Sequence, residues 1–345
     1  MTIHELATTI KQLVIPGKGI LAADESQPTI GKRFASIQLE STPETRRSYR
    51  ELLFETPIEN FISAVILHEE TLIQQNQRGK NFPQLLAERG MVPGVKVDKG
   101  LIPLAGTDEK ITQGIDGLAE RLTHYKQLGA RFTKWRMVLT IAHHSPSELA
   151  IEANAHVMAQ YAALCQEIGL VPIVEPELLM DGAHSIECCA DVTERALSNV
   201  FTQLKKYKIL LEYMILKPNM VINGNQYSQH ASVTEVAQAT IKVLRRSVPA
   251  SVPSINFLSG GQTPEMATAH LNRINKEGAQ PWLLSFSYGR ALQDQTLKLW
   301  QGSSENIKLA QNALYKRAKL NAHASKGKYR TLMETESHEP ESVPA

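Results

Sequence analysis

The stretch Met214-Ile215-Leu216-Lys217-Pro218-Asn219-Met220 sets a lysine at the end of an apolar run. Tyr213 to Leu216 reads as a strand buried on both faces, and Pro218 and Asn219 supply the turn that ends it, which places Lys217 at the strand's C-terminal tip. A desolvated ammonium is costly unless it is paired or neutralised, so such a lysine is either half of an ion pair or an amine tuned to react. The first role is structural and the second is imine chemistry. This segment alone does not choose between them.

Three pairs of charges elsewhere bear on the choice. Lys96 with Asp98, Lys134 with Arg136, and Glu175 with Glu177 stand two apart in apolar runs, and side chains two apart on a strand share a face. A single such pair ordinarily marks the solvated face of an edge strand. A closed parallel barrel has no edge, and its inward face is packed core except at the C-terminal mouth, where barrel enzymes keep their active sites. With Asp24, Lys217 and Arg290, the pairs are best explained as one constellation. Its chemistry suits an imine. A lysine of pKa about 10.4 is neutral only about four times in ten thousand at pH 7, so a nucleophilic amine needs that value lowered by about 3, worth about 4 kcal/mol. Lys134 and Arg136 could supply the like charge, while Glu175 and Glu177 could move protons during carbinolamine formation and dehydration.

A second signal is independent of the first. Loops after the seventh and eighth strands of barrels frequently bind phosphate through backbone N–H groups at a helix N-terminus. Here they read Ser259-Gly260-Gly261 and Tyr288-Gly289-Arg290. Glycine lets the backbone approach an anion closely, and Arg290 could add a bidentate contact.

Positioning these groups requires regular elements. Ile3, Leu6, Ile10 and Leu13 fall on one helical face that Pro16-Gly17 ends. Apolar runs closing in polar residues follow at Gly19 to Ala23 before Asp24-Glu25-Ser26, and at Ile62 to Leu67 before His68-Glu69-Glu70. They continue at Val92 to Val97, Phe132 to Leu139, Leu170 to Leu178, Tyr213 to Leu216, Ile255 to Leu258 and Trp282 to Phe286. Helix starts lie between them. Ser145-Pro146-Ser147-Glu148 reads as a capping box opening a helix that Gly169 ends, Ser232-Val233-Thr234-Glu235 repeats the box, and Thr42-Pro43-Glu44 and Thr263-Pro264-Glu265 open two more. Strands alternating with helices imply right-handed parallel crossovers, and eight such units close most naturally into a (β/α)8 TIM barrel, with a doubly wound sheet as the alternative. No proline- or glycine-rich linker divides the chain. The expectation is one α/β domain over 1–324, with an N-terminal helix and a C-terminal helical region, and a flexible tail over 325–345, where the composition turns polar and acidic.

Composition narrows the classes. The 37 basic side chains nearly balance the 35 acidic ones, which gives no general argument for nucleic acid or an anionic membrane. Cys165, Cys188 and Cys189 lack zinc-ligand spacing and read as free thiols in a reducing compartment. The N-terminus carries acid where a signal peptide would be basic, and no run approaches membrane-spanning length, so a cytoplasmic protein is the default. His143-His144 has no third ligand at recognisable spacing and reads as a polar loop, with no metal and no cofactor expected. Lys205-Lys206-Tyr207-Lys208 reads as a solvated helix face.

Taken in order, Pro16-Gly17-Lys18-Gly19-Ile20-Leu21-Ala22-Ala23-Asp24-Glu25-Ser26, Lys96-Val97-Asp98-Lys99-Gly100, Lys134-Trp135-Arg136 and Val174-Glu175-Pro176-Glu177 form the first half of a longer signature. Leu216-Lys217-Pro218-Asn219-Met220, Phe257-Leu258-Ser259-Gly260-Gly261-Gln262 and Ser285-Phe286-Ser287-Tyr288-Gly289-Arg290 complete it. Over nearly its full length the sequence closely resembles class I fructose-1,6-bisphosphate aldolase, the metal-independent Schiff-base type. The resemblance implies that Lys217 forms an imine with the C2 ketone of fructose bisphosphate or dihydroxyacetone phosphate. It implies that Asp24 handles the C4 hydroxyl proton, that Glu175 serves imine formation and hydrolysis with help from Glu177, and that Lys134 stabilises charge. Ser259, Gly260, Gly289 and Arg290 match the C1-phosphate pocket, Ser287 and Arg33 match further substrate contacts, and Lys96 and Ser26 match the C6-phosphate side. A homotetramer is also implied. Thr29 stands where the family has a serine. The well-known animal and plant members finish in a tyrosine that helps protonate the enamine, whereas here the final residues are Pro344-Ala345 and the last tyrosine is Tyr329. The resemblance therefore predicts that another group carries that proton or that the step is slower.

Two rival readings make different predictions. A pyridoxal phosphate enzyme would also combine a lysine imine with a phosphate pocket, and would be yellow. A catalytically silent sugar-phosphate-binding or scaffolding protein could keep the pocket, but binding alone does not require Asp24, Lys134, Glu175 and Lys217 together.

Overall fold

The computed structural model describes residues 2–336. Its ten strands are β1 (Gly19–Ala23), β2 (Ile62–Leu67), β3 (Val92–Lys96), β4 (Leu101–Pro103), β5 (Lys110–Thr112), β6 (Phe132–Thr140), β7 (Val171–Leu179), β8 (Ile215–Leu216), β9 (Ser254–Phe257) and β10 (Leu283–Tyr288). Eight of them close a parallel barrel in the order β1-β10-β9-β8-β7-β6-β3-β2, the (β/α)8 architecture that the alternation of elements implies. Each of the eight apolar runs supplies one barrel strand. β4 and β5 form a separate antiparallel hairpin that the sequence reading does not contain. It is two three-residue strands, too short for alternation to show.

Strand alternation sorts the side chains into two cores. Phe132, Ile20, Ala22, Ala64, Ile66, Val171, Ile173 and Ile215 point inward and pack with Leu6, Ile10 and Leu13 of the helix Thr2–Leu13, which covers the N-terminal end of the barrel. Trp135, Met137, Val174 and Leu216 point outward into the layer of helices. Ile3, expected on the buried face of the first helix, is exposed, in the helix's first turn. Gly94 is required inside. A Cβ there would stand 2.4 Å from the Phe132 ring, so a side chain on β3 would displace the aromatic that fills this layer.

The helix of residues Glu148–Ile168 starts later than the capping pattern suggests. Ser147, not Ser145, is its N-cap, and its Oγ accepts from Ala150 N. Ser145 is engaged instead in reciprocal backbone hydrogen bonds with Ala142. Gly169 ends the helix as expected, and Thr42, Ser232 and Thr263 cap theirs. At the far end, the segment 325–336 touches the body at particular residues while most of its side chains are exposed. Tyr329 is buried, and Glu334 is held by Arg317 at 2.7 Å and by the Tyr329 hydroxyl at 3.0 Å. Residues 337–345 lie outside the described residues.

Candidate active site

The inward face of each strand changes from apolar to charged at the C-terminal mouth. β6 runs Phe132, Lys134, Arg136 on one side; β7 runs Val171, Ile173, Glu175, Glu177; β1 leads through Ile20 and Ala22 to Asp24. Lys217 extends β8 by one residue, its N–H donating to Val174 O at 2.8 Å. Parallel register sets Arg136 beside Glu175 and Lys96 beside Lys134. The pairs read from spacing therefore do face one mouth.

There the charges form a chain. Lys217 Nζ lies 3.0 Å from Glu175 Oε1, Glu175 Oε2 lies 2.8 Å from Lys134 Nζ, and Lys134 Nζ lies 2.7 Å from Asp24 Oδ2. Lys217 and Lys134 are each only 3% exposed, so these groups depend on one another for their solvation. Burial by itself would push the Asp24 and Glu175 carboxyls up, but the ammonium groups of Lys134 and Lys217 outweigh it and hold both below the usual carboxylate range. For Lys134, burial acts against the charged form, and Asp24 and Glu175 reverse this and raise it above the ordinary lysine range. The like charge expected from Lys134 and Arg136 is thus largely compensated where it stands. Lys134 is shared by two carboxylates, and Arg136 Nε is paired with Glu177. Lys96 Nζ is likewise held by Asp98 Oδ1 at 2.6 Å.

These groups line a cleft of about 1060 Å³. Ser259 and Gly260 border it from the β9 loop, and Ser287, Gly289 and Arg290 border it from β10 and the start of the helix Arg290–Trp300. The buried Ser287 Oγ has no hydrogen-bond partner among the described residues, so it is available to a ligand. Ser26 and Arg33 enter from the helix Gln27–Ala35 and its cap, with Ser26 Oγ 3.0 Å from Thr29 Oγ1. Gly261 is the exception among the expected site residues. It does not line the cleft; it takes φ +74° and passes so close to Met180 that a Cβ would stand 2.6 Å away, which makes it a turn residue that shapes the loop. His143 and His144 meet edge to face at the surface, and no group of three or more His, Cys, Asp or Glu among the described residues could hold a metal ion.

Buried amine, adjoining carboxylates and a cationic, glycine-bordered rim together suit carbonyl chemistry on a phosphorylated substrate. Comparison with known proteins agrees. The family model for class-I fructose-bisphosphate aldolase matches residues 5–343. The chain is 52% identical to the probable fructose-bisphosphate aldolase class 1 of Xanthomonas campestris pv. campestris, over 96% of this chain and 100% of that one. The chain belongs to the class-I fructose-bisphosphate aldolase family. As a member it is a lyase. The cytosolic fructose-bisphosphate aldolase 4 of Arabidopsis thaliana is also 52% identical, over 95% of this chain and 84% of its own. Among solved structures, the Plasmodium falciparum aldolase, crystallised in complex with TRAP and a small-molecule inhibitor, superposes with a TM-score of 0.94. It is 51% identical, with 95% of this chain and 96% of that one covered.

Several residues of the aldolase cleft were not singled out from sequence. Lys32 lines it from the same helix as Arg33 and Ser36 from that helix's C-cap, His68 and Glu69 line it from the N-cap and first residue of the short helix Glu69–Leu72 after β2, and Lys99 lines it from the loop after β3. Thr29, Lys32, Arg33 and Ser36 fall at helical spacing, a signal that helical periodicity could have exposed. Lys99 and Glu69 pair at 2.6 Å across 30 residues of sequence, which no local pattern reveals. Tyr329, the last tyrosine, does not line the cleft.

Proposed function

We propose that this aldolase cleaves fructose 1,6-bisphosphate reversibly to dihydroxyacetone phosphate and glyceraldehyde 3-phosphate through an imine on Lys217. The observation that carries the reading is the single Glu175 carboxylate lying between two buried lysines, at 3.0 Å and 2.8 Å. Glu175 takes the surplus proton of Lys217, freeing the amine lone pair to add to the C2 carbonyl. It then returns that proton to the C2 oxygen, giving the carbinolamine, and relays a second proton from the carbinolamine nitrogen to the same oxygen, which leaves as water and yields the iminium. Asp24, ionised beside Lys134, accepts the C4 hydroxyl proton. The C3–C4 bond breaks, its electron pair moves into the iminium to give an enamine, and the aldehyde departs. Protonation of the enamine and hydrolysis of the restored iminium release the ketone. Glu177 assists Glu175, and Lys134 compensates the charge that moves between the carboxylates.

Ser259, Gly260, Gly289 and Arg290 would receive the C1 phosphate, Ser287 and Arg33 would add further substrate contacts, and Lys96 and Ser26 would receive the C6 phosphate. Arg136 is a rim cation of the same cleft. The protein is read as a cytoplasmic homotetramer built on one barrel domain over 1–324, with 325–345 as an appendage. This is supported by the family resemblance and by exposed Ile3 and Leu210 bordering one surface groove. No helix among the described residues is long and apolar enough to cross a membrane.

The test is borohydride reduction in the presence of dihydroxyacetone phosphate, read by intact mass and peptide mapping, with cleavage assayed in EDTA. The expected result is a substrate-dependent adduct on Lys217 with EDTA-resistant activity, and in Lys217→Met neither the adduct nor more than about one part in ten thousand of kcat. Activity that disappears with EDTA and leaves no adduct would overturn the imine. Absence of both would favour a silent sugar-phosphate-binding protein.

A further inference from the structure

Arg33, on the cleft wall, is held from behind by groups that the proposed chemistry does not use. Glu25 follows Asp24 in sequence, yet its side chain is buried against three donors. Oε1 accepts from Arg33 Nη1 at 2.5 Å and from Gln293 Nε2 at 3.0 Å, and Oε2 accepts from Arg50 Nη2 at 2.9 Å. Arg50, only 1% exposed, also donates to Thr71 Oγ1 at 2.9 Å. Gln293 is fixed in turn, donating to Ala22 O at 2.7 Å and accepting from the Tyr49 hydroxyl at 3.1 Å. All these groups except Arg33 are buried.

The charges in this corner do not cancel. Two guanidiniums share one carboxylate, which leaves one surplus positive charge. A sealed arginine left unpaired would be costly, so Arg50 retains its hold on Glu25. The surplus is displayed by Arg33, whose side chain is 20% exposed. Arg33 Nη2 lies 3.8 Å from the point where a Cβ of Gly289 would stand, at the start of the helix that carries Arg290.

We propose that Arg50 is a positioning residue for the anion pocket: by engaging one Glu25 oxygen it prevents Glu25 from neutralising Arg33, and with Gln293 it aims the free edge of Arg33 at a substrate phosphate. This deepens the aldolase reading and rests on it for the identity of the ligand, while the anion site itself rests on the geometry.

Full-length wild type, Arg50→Met, Arg50→Lys and the double variant Arg50→Met/Glu25→Gln would be compared. The readouts are calorimetric Kd for inorganic phosphate, KM and kcat for fructose 1,6-bisphosphate, and thermal unfolding. Arg50→Met leaves Glu25 to pair one-to-one with Arg33, so phosphate Kd and KM should rise about tenfold, the loss of one charge-assisted contact, with kcat within about twofold. The double variant restores the single surplus charge, and both constants should return to within about threefold of wild type. A purely structural role predicts the opposite order, because the double variant loses two buried groups. A double variant as weak as Arg50→Met, or Arg50→Met with wild-type phosphate affinity, overturns the proposal. If Arg50→Met does not fold, Arg50→Lys, which keeps the charge without the fork, must weaken phosphate binding at least about threefold with kcat unchanged, and wild-type affinity there overturns it. Wild type that binds phosphate but cleaves nothing would defeat the aldolase reading and leave the role of Arg50 to be judged on phosphate Kd alone.

Discussion

Lys134 sits 2.7 Å from Asp24 and 2.8 Å from Glu175, and that position determines how the site responds to pH. Both carboxyls are depressed below their ordinary range. A carboxyl depressed on folding contributes stability that is complete above its unfolded pKa, about 3.9 for Asp and 4.3 for Glu, and is lost as pH falls through the folded value. The wild type should therefore keep this contribution at pH 4.5 and lose it progressively below about pH 4. Lys134→Met removes the compensating cation and leaves two buried carboxylates, which should cost about 3–5 kcal/mol at pH 7. With only Lys217, paired with Glu175, left to balance two buried carboxylates, burial works against the charge on Asp24, which takes up a proton as pH falls, so the deficit should shrink between pH 7 and pH 4.5. Urea unfolding at the two pH values checks this; an equal deficit at both would show that the carboxylates are not what Lys134 compensates.

At the scale of elements, the site depends on how the segments around it are capped and stapled. The β4–β5 hairpin lies against the long helix Glu148–Ile168. Glu109 accepts from Ser147 N at 3.0 Å and from Ser147 Oγ, and Thr112 Oγ1 donates to Arg136 O at 2.8 Å. Asn154, buried in that helix, accepts from Thr112 N at 3.2 Å and donates to Lys110 O at 3.0 Å. Ser147 thus joins a helix cap to a hairpin that braces β6, the strand of Lys134 and Arg136. Ser147→Ala should cost about 1–2 kcal/mol, whereas Ser145→Ala, which leaves the backbone pairing with Ala142 intact, should stay within about 0.5 kcal/mol. Denaturant unfolding of the two variants separates them, and a larger loss for Ser145→Ala would return the cap to that residue.

For the molecule as a whole, the barrel divides its labours between its ends. The helix Thr2–Leu13 closes the N-terminal end with Leu6, Ile10 and Leu13 over the inner layer of Phe132, Val171 and Ile215, and the charged chain occupies the opposite mouth. Leu6→Ala should lower stability by about 2–4 kcal/mol while leaving kcat within about twofold, as measured by urea unfolding and steady-state cleavage. A large fall in kcat at full stability would mean that the two ends are coupled. The eight barrel strands were legible because strands buried on both faces are continuous apolar runs, and the mouth was legible because charges two apart at the ends of such runs cannot be core. The hairpin, the shift of the cap to Ser147, the turn role of Gly261 and the packing of Tyr329 were not legible, since each depends on contacts with distant segments. By itself the sequence determined the eight barrel strands, the inward set of Asp24, Lys134, Glu175 and Lys217, and the family. Only the tertiary structure decided which charge meets which: that Glu175 lies between two lysines, that Arg136 is taken by Glu177, and that Arg50 shares Glu25 with Arg33. The reason is that these partners are brought together by closure of the barrel and the packing of helices on it, and pairing at hydrogen-bond distance is a property of that closure rather than of any local spacing.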